Sequence, residues 1–188
     1  MSEVFIREDA GLNLDRANKL LAGIGKNGSG VFKAVYSALK RSAQSARSKA
    51  GTFAAQRYTI SAGGFKGHVK DKIFMQGGSG GVSGVKLVFA GNVIRLIEFQ
   101  TGFGPGGVFA NVKKGGGGNI ARGFIANTGR LGVYERVGTS RLPIEQKFGP
   151  SAAHMMMDDE VVQNMDRTIV DTFNKRIEHE IDRALNGW

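Results

Sequence analysis

An α+β fold is predicted by three features of the 188-residue sequence. An apolar stripe of helical period lies before residue 57, a glycine-rich block of β-forming runs fills 58–150, and a second helical ridge follows 151. The architecture expected is an N-terminal helical region, a twisted antiparallel sheet with long glycine-rich loops from about Tyr58 to Val137, and a long C-terminal helix packed on that sheet. The length fits a single domain. Its parts are a variable segment over 1–30, a basic amphipathic helix over 31–57, the glycine-rich β region over 58–150 and an acidic helix over 151–188.

In the first helix the apolar or small positions Phe32, Val35, Tyr36, Leu39, Ala43, Ala46, Ala50 and Phe53 recur at steps of three and four, which places them on one face. Lys33, Lys40 and Arg47 recur every seven residues and form a second, basic stripe roughly 80° around the same helix. The block that follows cannot be mainly helical, because 22 of the 29 glycines lie between Tyr58 and Pro150. Its strand-like runs are 58–60, 69–74, 85–89, 93–99, 108–112, 120–125 and 131–137. The stretch from Lys113 to Gly118, with four consecutive glycines, is expected to be a flexible hairpin loop. At the C-terminal end Val161, Met165, Ile169, Phe173, Ile177, Ile181 and Leu185 recur every four residues, a ridge that drifts about 40° per step and so meets more than one neighbour. Asp158, Asp159 and Glu160 at its start complement the positive end of the helix dipole.

Charge is unevenly distributed. The chain carries 26 Lys and Arg against 16 Asp and Glu. Residues 1–57 have a net charge of +6 and residues 58–150 one of +8, whereas residues 151–188 carry −4. Between Asp15 and Asp71 there is no acidic residue, and eleven Lys and Arg fall in that interval, from Arg16 to Lys70. A solvated face usually mixes signs, so Lys33, Lys40, Arg41 and Arg47 are the candidates for contact with a polyanion, with a plain solubility face as the alternative.

The chemistry-bearing motifs are few. Gly102, Gly104 and Gly107 fit G-x-G-x-x-G on paper, but Pro105 lies inside the motif and a strand rather than a helix follows, so a glycine-rich turn is the better reading. No Gly-Lys-Ser or Gly-Lys-Thr follows the glycine run. The three histidines, His68, His154 and His179, have no helical ligand spacing, and the absence of cysteine removes thiolate sites and disulfides together. No serine sits in Gly-x-Ser-x-Gly. Asn27, Gly28 and Ser29 form a glycosylation triplet by chance, and the first fifteen residues, with Glu3, Glu8 and Asp9, lack a signal-peptide pattern. The most hydrophobic segment, 85–99, is interrupted by Lys86, Asn92 and Arg95, and no membrane span is expected. No catalytic residue, cofactor, metal or small-molecule ligand is therefore expected, and sequence-specific base reading is disfavoured by the lack of a zinc-finger, basic-zipper or RNA-recognition signature.

After the glycine run the chain reads Gly123-Phe124-Ile125-Ala126, then Gly132-Val133-Tyr134-Glu135-Arg136, then Ser140-Arg141-Leu142-Pro143-Ile144, and finally Phe148-Gly149-Pro150-Ser151. That order resembles the minor tail protein Z, or tail-completion, family of tailed bacteriophages. In the family a Gly-Ala-Phe-Ile-Ala type strand, a Gly-Val-Phe strand, an Arg-Leu-Pro-Ile turn and a Tyr-Gly-Pro-Ser segment precede a C-terminal helix. Here Arg122 stands where small residues are common and Phe148 where the family usually has Tyr. The basic stretch from Lys40 to Arg47 is also similar to the family's N-terminal region, so the resemblance runs from about Val31 to the C-terminus.

The resemblance implies a non-enzymatic virion protein in the neck of a long-tailed phage. Such a subunit forms a ring, commonly a hexamer, next to tail-terminator, tail-tube or head-connector proteins, with double-stranded DNA passing through the middle. It would be found in the virion, and in the host cytoplasm during assembly. Arg141, Leu142, Pro143, Ile144, Phe148, Gly149 and Pro150 are then the candidate subunit contacts. Pro143 fixes its own φ and biases Leu142 toward extended geometry, so Leu142 and Ile144 leave the bend on defined sides, either to plug a neighbour's pocket or to close their own core. The acidic C-terminal block of one subunit could meet the basic region of the next. Charge alone would equally allow a nucleoid-type protein that binds duplex DNA without sequence preference. A tail-associated peptidoglycan hydrolase is disfavoured, because the β region offers few acids before Glu145.

Overall fold

The computed structural model describes residues 3–5, 28–78 and 81–185. Arg16, Lys19 and Lys26 of the acid-free interval, most of the segment 1–30, and the side chains of Phe32, Ile181 and Leu185 lie outside the described residues. The elements in chain order are β1 (Glu3–Phe5), α1 (Gly28–Arg57), α2 (Ala62–His68), β2 (Lys70–Gly78), β3 (Gly81–Ala90), β4 (Val93–Arg95), a 3-10 turn (Leu96–Glu98), β5 (Gln100–Gly104), β6 (Gly107–Asn111), β7 (Gly118–Ala121), β8 (Gly123–Asn127), β9 (Leu131–Arg136), β10 (Ile144–Gln146), β11 (Phe148–Ser151), α3 (Ala152–Met155) and α4 (Asp159–Leu185). The fold is α+β, each strand pair whose register is described is antiparallel, and the last described element is a long helix.

The chain divides into two compact units. One comprises Ser2–Ala50, Asp71–Phe89 and Val162–Trp188. It holds the expected amphipathic helix: Val35, Leu39, Ala43, Ala46 and Ala50 are buried on one side of α1, joined by Ala38 and Ser42, whose hydroxyl donates to the Leu39 carbonyl (2.8 Å). The small alanines leave room for bulkier partners. Met165, Ile169, Phe173 and Ile177 of α4 are buried in the same unit, and Thr172 Oγ1 of α4 lies 3.5 Å from Ser45 Oγ of α1. The sheet of this unit has the order β1-β3-β2, and Val85, Leu87 and Phe89 alternate inward along β3 as a half-buried strand requires.

The other unit comprises Gly51–Lys70 and Ala90–Val161. Its strand pairing is spread over three small sheets, β5-β6-β7, β10-β9-β8 and β11-β4. The sequence led us to expect one sheet over 58–137; β2 and β3 pair in the first unit instead, and two local breaks interrupt the strand-like runs of this one. The run 120–125 is interrupted at Arg122, which takes a left-handed φ of 61° and separates β7 from β8. The run 93–99 ends as a 3-10 turn that buries Leu96 and Phe99. Residues 58–60, expected as a strand, contribute only an isolated bridge from Tyr58 to Lys113, and the short helix α2 takes the place of the glycine-rich turn expected after Ile60. Ser61 caps α2 by accepting a hydrogen bond from the Gly64 N–H (3.0 Å), and Phe65 anchors it in the core with Tyr58, Ile60, Ile94, Val108 and Val133.

Candidate functional site

On α1 the four basic candidates separate into two kinds. Lys33, Lys40 and Arg41 are exposed and make no ion pair with a described residue; Lys40 Nζ rests 5.9 Å from the centre of the Tyr36 ring. Arg47 is 45 % exposed yet grips Asp71 of β2 through two donors on one edge of its guanidinium, Nε to Oδ2 and Nη2 to Oδ1 (2.9 Å). The hydrogen bond to Asp71, with the carboxylate charge behind it, raises the Arg47 pKa further. The periodic stripe that includes Arg47 is thus divided by an acid 24 residues away in sequence. A groove of about 440 Å³ lies beside the free part of the stripe, lined by Tyr36, Ser37, Lys40, Arg41 and Gln44.

The second candidate group lies on the strand-rich unit. Arg141, Leu142 and Pro143 are exposed in the turn between β9 and β10, which Pro143 enters through a cis peptide bond and which closes with the Val137 N–H donating to the Pro143 carbonyl (3.2 Å). Leu142 is 67 % exposed, so the bend does not close its own core with that side chain; Ile144 is half-buried at the start of β10. Phe148 is largely exposed, whereas Gly149 lies against the Phe99 ring so closely that an added Cβ would come within 2.5 Å of it. Gly149 therefore has a packing role within this unit. Phe103, near the tip of the β5–β6 hairpin, is 88 % exposed; nothing in the glycine-rich pattern around it singled it out.

Two polar clusters in this unit were also not foreseen. Asp158, whose side chain is only 8 % exposed, accepts from Lys113 Nζ (2.7 Å) and from the Glu160 N–H (3.3 Å), with the Tyr58 hydroxyl at 3.4 Å and Arg57 Nε at 3.6 Å. Burial would push its carboxyl up, but the Lys113 hydrogen bond and charge, the Glu160 amide and the Arg57 charge together hold it below the usual range. Burial and the same carboxylate raise the Tyr58 hydroxyl. In the other cluster Glu98 meets His68 Nε2 (2.7 Å) and Arg95 Nη2 (2.7 Å). Burial there too is outweighed by the hydrogen bonds from His68 and Arg95, and the Glu98 carboxyl is lowered. Among the described residues no group of three or more His, Asp or Glu could hold a metal ion, and no helix is long and apolar enough to cross a membrane.

The glycine hairpin is tied down at its base. Tyr58 bridges Lys113, the Lys114 N–H donates to the Arg57 carbonyl (2.9 Å), and the Gly116 N–H donates to the Lys113 carbonyl (3.0 Å). These bonds supply what four glycines alone cannot, a fixed entry and exit for the loop. No protein family, curated protein or solved structure significantly matches the chain.

Proposed function

We propose that the chain is a structural subunit of a long-tailed phage neck, a tail-completion protein that assembles as a ring and lets double-stranded DNA pass. The observation that carries this reading is the order of the four sequence segments that resemble the family. They fall in turn on β8, on β9, on the bend into β10, and on β11 leading through α3 to the long helix α4. Support comes from the bend itself, because an exposed Leu142 is free to enter a neighbour's pocket. The unpaired cations Lys33, Lys40 and Arg41 supply a face suited to a duplex in the lumen. Exposed carboxylates of α4, Asp171 and Glu178, interspersed with the exposed Arg167, Lys175 and Arg176, give a ring neighbour something to pair with.

The test is a phage in which this gene is interrupted by a nonsense codon. Electron microscopy of the lysate should show filled heads and finished tails lying apart, and a labelled copy supplied in trans should appear where tail meets head. Joined particles in normal yield would overturn the assignment. The nucleoid-type reading is favoured by the same free cations and is tested on the purified chain. It expects tight, strongly salt-dependent duplex binding by the unassembled monomer or dimer, where the neck reading expects only weak binding until the ring forms.

A further inference from the structure

All five described side chains of the groove on α1 belong to the set that reads nucleic-acid backbones. Lys, Arg, Ser, Gln and Tyr each donate hydrogen bonds to phosphate oxygens, and Tyr36, Ser37, Lys40, Arg41 and Gln44 supply one of each. No acceptor-only carboxylate is among them. They occupy an arc of roughly 140° on the side of α1 turned away from its buried stripe and span roughly 12 Å of helix axis. A B-form strand presents a phosphate about every 3.4 Å of axis, so that span faces several phosphates at once. Tyr36 holds the Lys40 ammonium by its ring face at 5.9 Å, which restrains the cation before any ligand arrives.

We propose that this groove is a seat for the phosphodiester backbone of duplex DNA, with Lys40 and Arg41 making the ionic contacts and Ser37 and Gln44 donating to phosphate oxygens. Arg47 is not among the described lining residues of the groove and pairs with Asp71 instead. The biological ligand rests on the neck reading, whereas the site itself is tested on the purified full chain. A fluorescein-labelled duplex of about 30 base pairs is titrated by anisotropy at salt concentrations from about 50 to about 200 mM. Each lost phosphate contact removes about 0.9 from the slope of log affinity against log salt, so Lys40→Gln with Arg41→Gln should lower the slope by about 1.8 and weaken binding by tens of fold at about 0.1 M salt. Ser37→Ala with Gln44→Ala should weaken binding and leave the slope unchanged. Lys175→Gln with Arg176→Gln, which removes the same charge from exposed positions of α4, should retain most of the affinity. Equal losses in the groove and α4 variants, an unchanged slope in the groove variant, or no binding by wild type at the lowest salt each overturn the proposal. The single variants Lys40→Gln and Arg41→Gln carry the same test should the double variant misfold. If the groove variants behave as expected but phage lacking the gene still join heads to tails, the neck reading falls and the groove stands. If the gene is required and the groove variants bind as wild type, the groove alone falls.

Discussion

Lys113 and Asp158 are joined by a 2.7 Å ion pair that fastens the base of the glycine hairpin to the residue preceding α4. The carboxylate is nearly buried and also accepts from the first turn of α4 through the Glu160 N–H, so one side chain both caps a helix and closes a loop. Taking the charge out of water costs free energy that the lysine, the amide and Arg57 return only while Asp158 is ionised.

Acid should therefore loosen this unit. The lowered carboxyls of Asp158 and Glu98 contribute stability that is complete above the unfolded carboxylate value near pH 4 and is lost as pH falls through their lower folded values. Thermal melts should be flat from neutral pH to about 5 and then fall. Asp158→Asn should cost about 1–3 kcal/mol at neutral pH and remove part of the acid-side slope. A variant profile parallel to wild type throughout would show that the pair contributes nothing net.

The same pair governs protease access. Lys113 and Lys114 look like open trypsin sites in sequence, but their backbone and side-chain bonds hold the segment in place, so the native chain should resist cleavage there. Asp158→Ala should expose the site. Rapid cutting at Lys113 in the wild type would mean that these tethers open readily in solution.

Helices were the legible part of this chain. The buried series Val35, Leu39, Ala43, Ala46 and Ala50, like Val161 to Ile177 on α4, follows a local period that needs no knowledge of partners. The short helix α2 was illegible because Ala62, Gly63 and Gly64 carry no apolar period; its signals are one capping serine and one buried phenylalanine. The separation of β7 from β8 falls at Arg122, whose left-handed conformation no propensity announces for arginine. At the candidate site, charge located Lys40 and Arg41, but the capture of Arg47 by Asp71 and the meeting of Tyr58 with Asp158, 100 residues apart, are set by tertiary structure alone.

Two glycines of one hairpin should respond unequally to alanine. A Cβ on Gly107 would sit 2.0 Å from the Ile120 carbonyl oxygen on the paired strand, whereas one on Gly102 meets nothing within 4 Å. Gly107→Ala should destabilise by about 2 kcal/mol or more, since backbone must move, and Gly102→Ala should stay within about 0.5 kcal/mol of wild type. Denaturant melts of the two variants decide it, and equal midpoints would mean that β6 and β7 are not paired in this register.

Arg47 and Asp71 should couple weakly. Both side chains reach solvent, so despite the two-pronged geometry the interaction measured by a double-mutant cycle with Arg47→Gln and Asp71→Asn is expected at about 0.2–1 kcal/mol. A coupling near zero at low salt would return Arg47 to the free basic stripe.

Leu142 offers the clearest separation of folding from assembly. Two thirds of its surface faces solvent in the bend before β10, so Leu142→Ser removes little burial from the isolated chain and should change its stability by about 0.5 kcal/mol or less. Were the side chain instead part of a core, truncation would cost about 2–5 kcal/mol. In a ring the same leucine would enter a neighbour's surface, and losing a central aliphatic anchor typically costs an interface 1 kcal/mol or more, roughly fivefold or more in affinity per contact. Ile144, half-buried in its own unit, provides the contrast: Ile144→Ser should lower the melting temperature of the monomer as well. Sedimentation of the two variants beside wild type, paired with their melts, separates the roles. A Leu142→Ser protein that melts and assembles as wild type does would remove the bend from the subunit interface.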